Sequence, residues 1–203
     1  MNIILIMNLI DKEFFNRNKK LLLIAFIIVF GSLIIGSLIG YFEAGNNYGQ
    51  MTQMINYAHE HNIPSPINGS ESTTSGLEYF IHNFSIDIMT MLGGLLFSIF
   101  SVINVLQSSY LAGQFIGQDF MFGLVATLPH GIIEYLGTVF ALTIAFIITR
   151  AEIRIIKNRN TEGLKTDFKD ILILLILDII FLAVAGVIEA YVTPGIVSAT
   201  FGI

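Results

Sequence analysis

A small set of polar side chains stands inside stretches that are otherwise apolar: His130, Glu134 and Asp178, with Asp87, Asn104, Asp119 and Glu189 behind them. A charged group at the centre of a membrane helix costs about 2.5 to 3.5 kcal/mol on insertion scales, so a chain that keeps several of them is expected to use them. His130 and Glu134 are four residues apart, which puts them on one helix face, one turn from each other. At that spacing the imidazole can donate to the carboxylate and offset part of its desolvation. Carboxylates and an imidazole facing one vestibule can bind a divalent metal, relay protons, or bond neighbouring helices. His130 and Glu134 are the candidate metal ligands, but a zinc site wants three or four. There is no His-Glu-x-x-His, and His59, His61 and His82 belong to a loop or its margin. Gly-x-Ser-x-Gly and a phosphate-binding loop are also absent, as is cysteine. Serine, thiol and nucleotide chemistry are therefore set aside; no cofactor is implied, and the sequence leans away from an enzyme.

The elements that must position these residues are membrane helices. Of 203 residues 54% are hydrophobic and only 12% charged, where a soluble domain carries about a quarter. The mean hydropathy is +0.76. All ten Lys and Arg fall in two clusters, Lys12 to Lys20 and Arg150 to Lys169, with none between Leu21 and Thr149. Positive charge is retained on the cytoplasmic side, so both clusters belong inside, separated by an even number of crossings. The expectation is an all-α, polytopic helical bundle of about five spans in the cell membrane, N-terminus cytoplasmic. Its segments are a cytoplasmic stretch 1–20, a first span 21–41, an acidic external loop 42–82, a second span 83–106, a third span or re-entrant segment 107–128, a fourth span 129–149, a basic cytoplasmic loop 150–169, a fifth span 170–191 and an external tail 192–203. Pro129 is expected to open the fourth span, where its missing N–H is unneeded. Residues 1 to 10 read as a short interfacial run, Met51 to His61 as a short helix before Pro64 and Pro66, and Asn68-Gly69-Ser70 and Asn83-Phe84-Ser85 as glycosylation acceptors.

Small residues recur at four-residue spacing. Ser32, Gly36 and Gly40 do so in the first span, Gly113 and Gly117 in the third region, and Gly137 and Ala141 in the fourth span. Such rows let helix backbones approach closely, within one chain or between copies through the first helix as a homodimer.

The run Leu128-Pro129-His130-Gly131-Ile132-Ile133-Glu134, after a Gly-rich apolar region with an embedded Asn, resembles the stage II sporulation protein M family. The Pro-His-Gly-x-x-Glu block carries the resemblance, through Pro129, His130, Gly131 and Glu134; Asn104 and Gly113 to Gly117 match more loosely. The resemblance implies a multi-span membrane protein that works as a scaffold, holding cell-wall hydrolases at a membrane in endospore formers and present also in organisms that never sporulate. The implied partners are the bilayer and membrane or envelope proteins, with no nucleic acid. The rival expectation is an ion or small-solute transporter or channel, or an intramembrane metal-dependent activity, built on His130, Glu134 and Asp178.

Overall fold

The computed structural model describes residues 12–47, 49–60, 75–159 and 161–202. The run 1–10, Pro64, Pro66, Asn68-Gly69-Ser70 and the end of the short-helix reading at His61 lie outside them. The described residues form a helical bundle: α1 Lys12–Ala44, α2 Gln50–Glu60, α3 Gly76–Leu92, α4 Ile99–Gln118, α5 Phe120–Asn158, α6 Leu164–Tyr191 and α7 Thr193–Phe201. Of these, α1, α4, α5 and the α6–α7 run are long and apolar enough to cross a membrane. The fifth long element is α3, 17 residues extended by a 3-10 turn at Gly93–Leu96. Its combined rise is about 33 Å, and it runs beside α5 and α6 from one end of the bundle to the other. Gly76 meets Gly186 at its start, and Gly94 meets Ala145 at its end.

The turns fall elsewhere than the hydropathy pattern predicts. The expected second span 83–106 is cut at Phe97 and Ser98, both left-handed (φ 53° and 56°). Backbone strain there is held by Thr149, whose hydroxyl donates to Gly94 O at 3.0 Å and pairs with Ser98 Oγ at 2.7 Å. The segment 107–128 is not a unit: it holds the second half of α4, a reversal at Asp119 and the first turns of α5. Pro129 does not open a helix either. Asp119 caps α5 by accepting from Phe122 N at 3.2 Å, so the helix is already under way and Pro129 lies inside it. The proline removes one hydrogen bond, that to the Val125 carbonyl, without ending the helix. At the other side, α3 starts well before residue 83, because Ser75 and Glu78 form a reciprocal capping box at 3.3 and 2.7 Å. Asn83 is thus a half-buried residue on a bundle helix, not one at the margin of a loop.

Lipid is as apolar as leucine, so helices in it associate by close packing and polar contacts instead of by hydrophobic drive. The tightest seam joins α1 and α4, which run parallel. A Cβ on Gly36 or Gly40 would strike the backbone of Tyr110 or Gln114, and one on Gly113 or Gly117 would strike that of Leu33 or Ser37. Both glycine rows are used up inside one chain. Ser32 continues the seam with its hydroxyl tied to Ile28 O and Val29 O at 2.7 and 3.0 Å. Below it lies a core of Ala25, Val29, Val105, Val139 and Leu142, and beside that a second core including Phe14, Met91, Ala141, Ile144 and Leu174.

The basic clusters meet at one end. Arg17 of α1 grips Asp170 of α6 through two bonds at 2.8 and 3.1 Å, and Asn18 adds a third at 2.7 Å. Arg150 of α5 donates to Asp167 at 2.7 Å, joined by Arg154. Since the seam joins α1 to α4 by backbone contact, Gly113→Ala should cost about 2 kcal/mol of stability. Gly31→Ala, with nothing within 4 Å, should be neutral or slightly stabilising. Thermal unfolding in detergent checks the pair; equal melting points would show that the seam is not held by backbone proximity.

Candidate functional site

At the end opposite the arginines, α5, α6 and the start of α7 converge on an acid–imidazole cluster. Val192 separates α6 from α7, and Thr193 begins the new helix with Pro194 in its first turn. That break brings the buried Thr193 hydroxyl to His130 Nδ1 at 3.1 Å. The other ring nitrogen faces Glu189, with Nε2 3.9 Å from Oε1. That gap is too long for a hydrogen bond. His130, Glu134 and Glu189 each bring one ligand atom within 4.8 Å of the other two. The imidazole therefore bonds Thr193 and faces Glu189, where the sequence pairs it with Glu134.

Glu134 looks further into the bundle. Glu189 of α6 and Asn83 and Asp87 of α3 are its polar neighbours. Asp87, 1% exposed, faces Asp178, 0% exposed. Apart from each other, neither Asp178 oxygen nor Asp87 Oδ2 has a hydrogen-bond partner among the described residues. Asp178 reaches this position because Gly137 of α5 leaves room for it: a Cβ there would lie 3.0 Å from Asp178 Oδ1 and 3.2 Å from Leu182 Cδ2. Gly137 thus serves side-chain access where its spacing alone points to helix packing. The result is a polar track Glu189, His130, Glu134, Asp87, Asp178 on three helices, none of which carries a basic residue near it. Every Lys and Arg is at the far end. Carboxyls gathered in apolar surroundings without a basic partner are costly when ionised, and the cost is relieved either by protonation or by an added cation.

The remaining sequence candidates lie elsewhere. Asn104 of α4 donates to Thr90 Oγ1 at 2.9 Å and joins α4 to α3. Asp119 accepts from Thr52 N at 2.7 Å and Thr52 Oγ1 at 2.9 Å, fastening α2 to the bundle while capping α5. Pro129 and Gly131 flank His130 on α5; a Cβ on Gly131 would press on the Thr127 methyl at 2.9 Å. Gly36, Gly40, Gly113, Gly117 and Ala141 belong to the packing described above. Thr193 is the member that the sequence reading leaves out. Its signal is a hydroxyl residue just before Pro194, at the end of a span that also holds Glu189.

A family model for stage II sporulation protein M matches residues 21–194, a stretch that takes in α1 from Leu21 onward, α2 to α6 and every member of the track. The chain belongs to the stage II sporulation protein M family. No curated protein and no solved structure gives a significant match. For this family member the match and the all-helical bundle agree, and the Pro-His-Gly-x-x-Glu block falls on α5 where the track begins.

Gly137 and Asp178 should behave as a coupled pair. Gly137→Ala is expected to cost about 1 to 3 kcal/mol, and most of that cost should vanish in an Asp178→Ala background. A double-mutant cycle on thermal unfolding measures the coupling. Strictly additive costs would mean that Asp178 does not occupy the space over Gly137.

Proposed function

We propose that this chain is a non-enzymatic, five-pass component of the cell membrane that positions envelope proteins, with its arginine-rich end in the cytoplasm. The charge pattern supports the orientation, since both basic clusters gather at one end and positive charge is retained on the cytoplasmic side. The alternating directions of α1, α3, α4, α5 and α6 support five passes.

The observation that carries the scaffold reading is the treatment of α2. This short helix stands at the outer end and is bolted on by Asp119, through Thr52, and by Gly49 N donating to Gln118 O at 3.1 Å. It leaves Met54 and Tyr57 more than half exposed. Beside it is a hollow of about 380 Å³ lined by Glu43, Met51, Met54, Phe115, Asp119 and Phe122 among others. A fixed helix with exposed Met and Tyr is what a docking face needs, since these residues make large contact area at low entropic cost. The resemblance points to cell-wall-acting enzymes as the class of partner. The track at His130 favours a second reading, a transporter of protons or cations.

The chain has no cysteine, so single-cysteine labelling has no background. Tyr57→Cys should react with a membrane-impermeant maleimide on intact cells, and Glu162→Cys only after lysis. A photoreactive residue at position 57 should cross-link to envelope proteins, and Asp119→Ala should remove the cross-links at a stability cost of about 1 to 2 kcal/mol. Ion flux through the purified chain in liposomes, lost on Glu134→Gln, would overturn the scaffold reading in favour of transport.

A further inference from the structure

We propose that His130, Glu134 and Glu189 bind a divalent first-row transition-metal ion that ties α5, α6 and α7 together at the outer end of the bundle. The inference stands on the geometry of the track and does not depend on the scaffold reading.

The gap between His130 and Glu189 points to an ion first. If Thr193 accepts from Nδ1–H, then Nε2 presents a lone pair toward a carboxylate oxygen 3.9 Å away. Two electron-rich atoms so placed are bridged by a proton on the carboxyl or by a metal ion, and a 3.9 Å gap, too long for the hydrogen bond, suits the ion better. If instead Nε2 carries the proton, 3.9 Å is still too long for the hydrogen bond that would justify burying the ring. The first tautomer is the one seen at metal sites, where a ligating histidine gives its other N–H to an acceptor that fixes ring and tautomer. Thr193 Oγ1 is placed for that role.

Spacing agrees. Ligand atoms at about 2.0 to 2.2 Å from one ion lie at most about 4.4 Å apart, so a set within 4.8 Å closes on an ion with small rotamer shifts. Glu189, with its side chain 23% exposed, gives the ion a way in, while the His130 side chain at 11% gives it a dry wall.

A third observation is independent of the ligand set. Behind Glu134 stand Asp87 and Asp178, buried, with three oxygens that have no partner apart from each other among the described residues and every Lys and Arg at the opposite end of the bundle. Asp87 acts on Glu134 directly. Two carboxyls so close in apolar surroundings share a proton, and the negative charge they keep adds to the pull on a cation at Glu134. One divalent ion balances Glu134 and Glu189 together. An imidazole with carboxylates suits zinc, manganese or iron better than magnesium or calcium, which take oxygen alone.

The test uses the full chain in detergent, stripped with chelator and titrated with Co²⁺ as a visible-absorption probe, then competed with Zn²⁺. The structure assigns one Co²⁺ per chain, displaced by Zn²⁺. Glu189→Gln and Thr193→Val, the first a ligand and the second its support, should each weaken binding about tenfold or more while the stripped proteins melt near the wild-type temperature. Glu43→Gln, in the separate hollow by α2, should bind as wild type. Should His130→Asn fail to fold, the two milder variants carry the test unaided. The proposal is overturned if folded wild type takes up no Co²⁺, or if Glu189→Gln and Thr193→Val bind it as well as wild type does.

Discussion

Charge in this bundle is sorted lengthwise. At one end Arg17, Arg150 and Arg154 converge on Asp167 and Asp170, and the side chains neutralise one another across α1, α5 and α6. At the other end Glu134 and Glu189 gather round the His130 imidazole, with Asp87 and Asp178 behind Glu134. Breaking a buried pair at the first end would strand a charge at a cost of about 3 to 5 kcal/mol, so that end is a lock. The second end has no such ion pairs with Lys or Arg among the described residues, and its carboxyls are relieved by protonation or by an added cation. The different chemistry of the two ends follows from where ten basic residues were placed.

Close helix packing is what keeps the two ends distinct. Gly36, Gly40, Gly113 and Gly117 press α1 onto α4 backbone to backbone, Gly76 and Gly186 do the same for α3 and α6, and Gly137 admits Asp178 toward α5. In lipid, close approach replaces hydrophobic burial as the source of cohesion. The same glycine rows that look in sequence like a dimer motif are packed against each other within one chain. The short helix α2, with Met54 and Tyr57 exposed, is held by a carboxylate that also starts α5. Asp119 therefore couples the exposed face to the helix that bears His130.

The bundle class and the family resemblance are legible from hydropathy, from the two basic clusters and from the Pro-His-Gly-x-x-Glu run. The turns are not. The reversal at Phe97 and Ser98 lies in an apolar stretch, Gly93 to Phe100, with no run of loop-forming polar residues, because its backbone is held by Thr149 from a distant helix. Pro129 misleads for the converse reason: a local breaker is outvoted when a capped helix is already under way on its N-terminal side. His130, Glu134, Asp87, Asp178 and Glu189 stand out because ionisable groups are rare in such segments. Their grouping does not, since Asp178 reaches α5 only through the space over Gly137, and Thr193 is polar too weakly to draw notice.

If the cluster around His130 is completed by a cation held on one imidazole and carboxylates, X-ray absorption at the zinc edge of the loaded protein reads that shell directly. The expected result is a first shell of nitrogen and oxygen at about 2.0 to 2.2 Å, with multiple scattering from a single imidazole that disappears in a folded His130 variant. A shell with two or more imidazoles, drawn from His59, His61 or His82, or one with no imidazole at all, would contradict it.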